Sequence, residues 1–259
     1  MGMIEESSSQ ISNIISLIDD IAFQTNLLAL KGFKIDLWVF EKEVKDQIES
    51  YRENKFFLPG VSLSDHICPF NDIEAVVKGK DLVLLVVPSH VMRETASKIR
   101  DHISTETIIV SASKGIENKT HLTMSGVLKE IFHDISEDSF AVLSGPSFAR
   151  EVVRKVPTVV AVAARNQKVA GFVQHIFATP YFRVYTNNDM VGVELGGSVK
   201  NVIAIAAGII DGLGDDYPIW ANKVHKHRPV FCKEDTTLVT FRKWVRQFYL
   251  TSQDKKEIA

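Results

Sequence analysis

Cysteine is nearly missing from this chain: Cys68 and Cys232 are the two that occur in 259 residues, and they lie far apart. That number gives no disulfide framework and points to a reducing compartment. Charge of one sign is not in excess either. There are 30 Lys and Arg against 32 Asp and Glu, a formal net charge of -2, so no strong field favours nucleic acid or an anionic membrane surface. Long hydrophobic runs are also missing. The longest, "NVIAIAAGII", falls well short of the roughly 20 apolar residues that cross a bilayer. The amino terminus has no basic stretch followed by an apolar run, so no signal peptide is expected. Internal repeats and low-complexity tracts are missing as well. These absences predict a cytoplasmic protein, neither membrane-bound nor nucleic-acid-binding, and the 45% of hydrophobic residues is enough for a sizeable core.

What is there falls into four stretches. In residues 1–30, Ile4, Ile11, Ile18 and Thr25 are seven apart, and Ile14, Ile21 and Leu28 repeat the interval with an offset of three. This is the seam of a coiled-coil-like amphipathic helix, or the apolar stripe of an ordinary surface helix. From residue 31 the pattern alternates. "KIDLWVFE", "DLVLLVVP", "TIIVSAS", "FAVL", "PTVVAVAA" and "FRVYTN" read as strands, and amphipathic helical segments separate most of them. The continuous apolar runs suit strands covered on both faces, and the alternation suits parallel β-α units. After about residue 190, "MVGVELGGSVKNVIAIAAGIIDGLG" reads as one long apolar helix, the start of a second, helical domain. In residues 215–259 the periodicity fades while basic and aromatic residues increase, and no element is assigned there.

Candidate chemistry sits at strand ends. Glu41 closes the first strand, where an acid can accept hydrogen bonds from ribose hydroxyls and would repel a 2'-phosphate; it also reads as a plain solvated acid. Pro88 and Ser89 end a buried strand at the edge where open α/β sheets bind ligands, or simply terminate it. Lys114 follows the next strand, as an anion-holding lysine or a solvated loop residue. Gly145, Pro146 and Ser147 make a tight turn whose N–H groups and hydroxyl suit an anion or a substrate hydroxyl; Ser147 equally reads as a helix cap. Gly196 and Gly197 cost a helix roughly 1 kcal/mol each and make sense where a ligand or another backbone comes close. Lys200 follows them, either as a desolvated proton donor or as a rim lysine with its head in water. "HKHRPVFC" (225–232) lacks a second ligand pair at zinc spacing, so no metal is expected. Asp19 and Asp20 are adjacent on the amino-terminal helix and point apart.

Taken in order, "LWVFE", "RENKFFLPG", "DLVLLVVPSH", "SASKGIE", "LSGPSFAREV", "PTVVAVA" and "VELGGSVKNVIAIAAGIIDGLG" resemble NAD(P)-dependent glycerol-3-phosphate dehydrogenase over about residues 31–214. The resemblance implies NAD or NADP as cofactor and a small phosphorylated substrate, with dihydroxyacetone phosphate reduced reversibly to sn-glycerol 3-phosphate. It makes Lys200 the proton donor and acceptor, and places Lys114 at both substrate and nicotinamide. Gly145 and Ser147 become substrate contacts, Ala149 a cofactor contact, and Phe40 and Glu41 neighbours of the adenosine half. Association of identical copies is left open. Another reductase of the wider superfamily is disfavoured by "SGPSFA" together with "ELGGSVKNVIA".

Two departures stand out. The family opens with a strand and a G-x-G-x-x-G turn that cradles the pyrophosphate, and residues 1–30 contain neither. "IDDIAFQTNLLAL" instead resembles the signalling helix of methyl-accepting chemotaxis proteins, and the two patterns overlap at "NLLAL". After Gly214 the family's further helices have no counterpart. The expectation is an α/β chain with an incomplete Rossmann-like parallel sheet over 31–189, an amphipathic helix over 1–30, the first helix of a substrate domain over 190–214 and an unassigned tail. Dehydrogenase activity is expected to be weak or lost. The alternative is a non-catalytic chimera whose first helix is an interaction segment.

Overall fold

The computed structural model describes Leu28, Ala29 and residues 31–212. The amphipathic helix expected over 1–30, the tail over 215–259, the histidine-rich "HKHRPVFC" and the Asp19–Asp20 pair lie outside the described residues, apart from Leu28 and Ala29. In chain order the elements are β1 (Ile35–Trp38), α1 (Lys42–Tyr51), β2 (Ile67–Phe70), α2 (Ile73–Val77), β3 (Leu82–Leu85), α3 (Met92–Ile99), β4 (Ile108–Ser111), α4 (Met124–Ile131), β5 (Phe140–Ser144), α5 (Ala149–Val153), β6 (Thr158–Ala164), α6 (Gln167–Phe177), β7 (Phe182–Asn187) and α7 (Met190–Gly212).

Local chemistry sets several boundaries. The side chains of Asp72, Thr123 and Asn166 accept backbone N–H bonds at the first turns of α2, α4 and α6, satisfying donors a helix start leaves free. Arg52 closes α1 in the left-handed region at φ 52, its N–H bonded to the Ile48 carbonyl.

The strands form two sheets, β1-β2 and β3-β4-β5-β6-β7. All ladders are parallel except β5–β6, which pairs antiparallel with Ser144 opposite Ala161. In the larger sheet, successive residues feed opposite cores. Ile109, Phe140, Val142, Ala161 and Ala163 pack on one face with α3 and α4. Val110, Ala141, Leu143, Val160 and Val162 pack on the other with α6. This is the doubly covered sheet that the apolar runs predict.

Among the described residues the two sheets do not join. Along β1 and just past it, the Ile35 and Val39 N–H groups donate to β2 or its flank, and on the far side Ile108 and Ala112 donate to the Asp81 and Leu85 carbonyls. Bonding groups alternate along a parallel ladder, so the main chains of Asp36 and Trp38 and of Leu82 and Leu84 turn toward each other across a gap. A cavity of ≈ 180 Å³ fills it, lined by these four residues with Leu28 and Val77 among others. Among the described residues the sheet is thus interrupted, with two edges that face a mostly aliphatic slot. Three links span the neighbourhood. Lys80 pairs with Asp36 at 2.5 Å. Leu28 is buried in the core of the large sheet and Ala29 in that of the small one. Lys31 Nζ donates to the carbonyls of His175, Ile176 and Ala178 at 2.7, 2.9 and 3.1 Å, at the end of α6.

The helix expected from residue 190 is present as α7, packed on β5 and β6. Its Val191, Leu195, Val199, Val202 and Ile205 are exposed among the described residues.

Candidate functional site

The carboxyl end of β5 and the loop after β4 meet the middle of α7, and most of the sequence-predicted residues gather there. Lys114 sits three residues beyond β4. Its loop is pinned by Ser113, whose hydroxyl donates to the Val87 carbonyl at 2.6 Å, on the chain leading from β3 to Pro88. Ser89 packs against Gly115, so the Pro88–Ser89 turn and the Lys114 loop are in contact. Farther along, Glu117 accepts two bonds from Arg93, both at 2.8 Å, and Arg93 also bonds Glu130 at 2.8 Å. The Arg93 and Thr120 bonds hold the Glu117 carboxyl down at about 2. They fasten the loop to α3 and α4.

The turn after β5 is equally constrained. A Cβ on Gly145 would come within 2.8 Å of the Val160 Cα on β6, so glycine is dictated by the close approach of the two strands. Ser147 and Ala149 are buried. The reading of Ser147 as a helix cap is not met: the cap position is Phe148, with no side-chain cap bond. The helix that follows has five residues, so its dipole adds little for an anion at this turn.

α7 reaches both features. A Cβ on Gly197 would lie 2.2 Å from Ser144 Oγ and 3.9 Å from Lys114 Cγ; the bare Cα is what lets the helix settle on the end of β5 beside Lys114. One turn later the Lys200 ammonium rests 5.2 Å from the centre of the Phe148 ring, within cation–π range. Lys200 is half-buried. Gly197 therefore marks a place of close approach, as its cost in a helix suggests. Lys114, Lys200 and the 144–149 turn surround one corner of the sheet.

Two features that sequence reasoning missed hold α7 in place. Glu194 is 6% exposed, and its carboxylate accepts from the Ser125 N–H at 2.7 Å and hydroxyl at 2.6 Å, at the first turn of α4. Burial pushes its pKa up, and the Ser125 bonds oppose that rise. Ser198 donates to the Glu194 carbonyl at 2.9 Å and accepts from the Gly115 N–H at 3.0 Å. The signal was an acid inside an apolar helix with a serine four residues on.

Phe40 and Glu41 lie apart from this cluster, at the carboxyl end of β1 beyond the slot. Phe40 is 78% exposed and meets Trp38 edge-on at 6.1 Å. Glu41 precedes the first residue of α1 without capping it. For a dinucleotide, the described residues therefore supply an acid at one end and Pro88, Lys114 and Ala149 at the other. Between them lies the slot, not an array of free N–H groups at a helix start, so the pyrophosphate position is not fitted. Among the described residues, no three His, Cys, Asp or Glu side chains group as a metal site, and no helix is long and apolar enough to cross a membrane.

A family model described as NAD-dependent glycerol-3-phosphate dehydrogenase N-terminus matches residues 23–170. It begins inside the heptad stretch, where "NLLAL" fits both patterns and Leu28 and Ala29 join the cores. A second, the 3-Ketosteroid 9alpha-hydroxylase C-terminal domain, matches residues 180–249; the described part of that span is β7 and α7, which belong to the same sheet and its covering layer. A glycerol-3-phosphate dehydrogenase [NAD(P)+] of Syntrophobacter fumaroxidans is 49% identical over 191 residues, 74% of this chain and 56% of the relative. That of Citrifermentans bemidjiense is 49% identical over 189 residues, 73% and 56%. The chain thus spans a little over half the length of these relatives. Among solved structures, glycerol-3-phosphate dehydrogenase from Coxiella burnetii aligns with a TM-score of 0.67 at 33% identity, covering 74% of this chain and 59% of that one. The Saccharomyces cerevisiae enzyme aligns at 0.67 with 22% identity, over 88% and 67%, a likeness of fold.

Proposed function

The chain belongs to the NAD-dependent glycerol-3-phosphate dehydrogenase family, and from that premise we propose that the corner formed by Lys114, Lys200 and the 144–149 turn is a site for a phosphorylated three-carbon ketone or alcohol. The substrate pair is dihydroxyacetone phosphate and sn-glycerol 3-phosphate. Lys200 exchanges a proton with the substrate oxygen. Lys114 holds the anionic substrate next to the cofactor position, and the Gly145 main chain and Ser147 hydroxyl orient it. Phe40, Glu41, Pro88 and Ala149 flank NAD or NADP, and the acid at 41 favours NAD. When bound, the cofactor supplies the hydride. The observation that carries this reading is the seating of Gly197 on Ser144 and Lys114, which brings the helix bearing Lys200 onto the loop bearing Lys114.

Turnover by this chain is proposed to be impaired, because the slot between β1 and β3 offers a pyrophosphate little to bind. Purified protein with NADH and dihydroxyacetone phosphate is expected to run far below the usual range of about 1–10³ s⁻¹; ordinary rates overturn the impairment. Titration with sn-glycerol 3-phosphate followed by NMR is expected to move the Lys114 loop and the 144–149 turn, and to lose that effect in Lys114→Met. A flat titration overturns the site. The domain division at 190, with α7 opening a helical substrate domain, belongs to the same proposal. So do a location in the cytoplasm and self-association of the chain. The chemoreceptor likeness of residues 1–30 rests on sequence alone; capture of chemotaxis adaptor proteins by the full chain would favour an interaction role for it.

A further inference from the structure

Two side chains with no part in the reading above converge on the link between its lysines. Ser198 lies in the interior of α7. Its hydroxyl makes the bond a mid-helix serine commonly makes, to the carbonyl four residues back, Glu194 O at 2.9 Å. What is unusual is the second bond: the same oxygen accepts the Gly115 N–H at 3.0 Å, across 83 residues of sequence. Gly115 directly follows Lys114, and Ser198 precedes Lys200 by two residues. One hydroxyl therefore joins the backbone that carries one lysine to the helix that carries the other. The helix end of the link is itself anchored, since the Glu194 carboxylate accepts both bonds from Ser125.

We propose that Ser198 is a positioning residue that sets the separation of Lys114 from Lys200. It touches neither substrate nor cofactor. Its donor is spent on α7 and its acceptor on the Lys114 loop, so the loop cannot move away from the helix without leaving the Gly115 N–H unpaired. The neighbouring Gly197 brings the surfaces into contact, and the hydroxyl of Ser198 fixes their register. The inference rests on the reading that the two lysines share one site.

The test uses the full chain and a short bifunctional amine reagent, with the linked peptides identified by mass spectrometry, and amide exchange at Gly115. Wild type is expected to give the Lys114–Lys200 link. Ser198→Ala is expected to lower its yield severalfold and to speed Gly115 exchange by about tenfold, the scale of one lost hydrogen bond. Ser198→Thr, which keeps a hydroxyl, restores both. Val142→Ala, a core truncation away from the link, serves as a stability control and leaves the yield unchanged. If Ser198→Ala matches wild type in yield and exchange while wild type links, positioning by Ser198 is wrong and the shared site stands. If wild type gives no link, the shared site fails and the positioning role with it.

Discussion

The Asp36 carboxylate accepts a hydrogen bond from Lys80 Nζ at 2.5 Å, tying β1 to the start of β3 across the gap between the two sheets. Both side chains are about a third exposed, at 27% and 35%, so water screens the attraction and the pair contributes on the order of 0–1 kcal/mol. Lys80→Met is accordingly expected to change unfolding free energy by less than about 1 kcal/mol. Amide exchange is expected to place the weakness at the strand edges instead. Asp36, Trp38, Leu82 and Leu84 are expected to exchange far faster than Val110 or Val142, which lie in strands paired on both sides. Equal protection of the two groups would mean that the edges are covered, and would remove the physical ground for impaired turnover.

Glu194 carries a larger share of stability. Glu194→Ala leaves the Ser125 N–H and hydroxyl buried and unpaired, at about 1–3 kcal/mol for the lost partner, and opens a cavity as well. Glu194→Gln keeps an acceptor and relieves the burial of charge, so it should cost far less. Chemical denaturation of both variants checks this, and similar losses for Ala and Gln would show that charge, not acceptance, is what α4 requires.

Most of the strands were legible because their apolar runs feed both cores: "TIIVS", "FAVLS" and "PTVVAVAA" had nowhere else to go. β2 was not legible. Its "ICPF" is four residues with a proline inside, and it works because β2 is an edge strand, where the missing N–H of Pro69 costs no central ladder bond. The antiparallel β5–β6 pair was equally hidden, since a strand-helix-strand pattern reads the same whichever way the second strand runs. At the site, the glycines and lysines could be singled out by type, because a helix seldom keeps Gly196 and Gly197 without a close neighbour. Glu194 and Ser198 could not, because what they do depends on Ser125 and Gly115, residues far away in the chain.

Acid should loosen the Lys114 loop before the rest. The Glu117 carboxyl is held at about 2, against an ordinary 4.5, chiefly by its bond to Arg93 and then by that to Thr120. A depressed folded-state value means the stabilisation is complete above the unfolded value, near 4.5, and is lost as pH falls toward about 2. Glu194 works the other way, because its raised value makes the charged form the costly one. Thermal unfolding of wild type and Glu117→Gln across this acid range is expected to converge as pH drops. Curves that stay parallel would show that the Arg93 pair contributes nothing through this titration.

Gly197 and Ser144 should be coupled through a single contact. A methyl group at 197 would meet Ser144 Oγ at 2.2 Å but Ser144 Cβ at 3.5 Å, so the hydroxyl obstructs and the carbon behind it does not. Ser144 Oγ is also buried with no hydrogen-bond partner among the described residues, so removing it should be neutral or favourable. Gly197→Ala alone gains about 1 kcal/mol of helix propensity and loses about 1–3 kcal/mol to overpacking; the net expectation is destabilisation, with α7 displaced from Lys114. In a Ser144→Ala background the obstruction is gone and the propensity gain remains, so the same substitution should stabilise. A double-mutant cycle by denaturant unfolding reads the sign change directly. Additive effects would mean that α7 does not rest on the end of β5 as closely as the site requires.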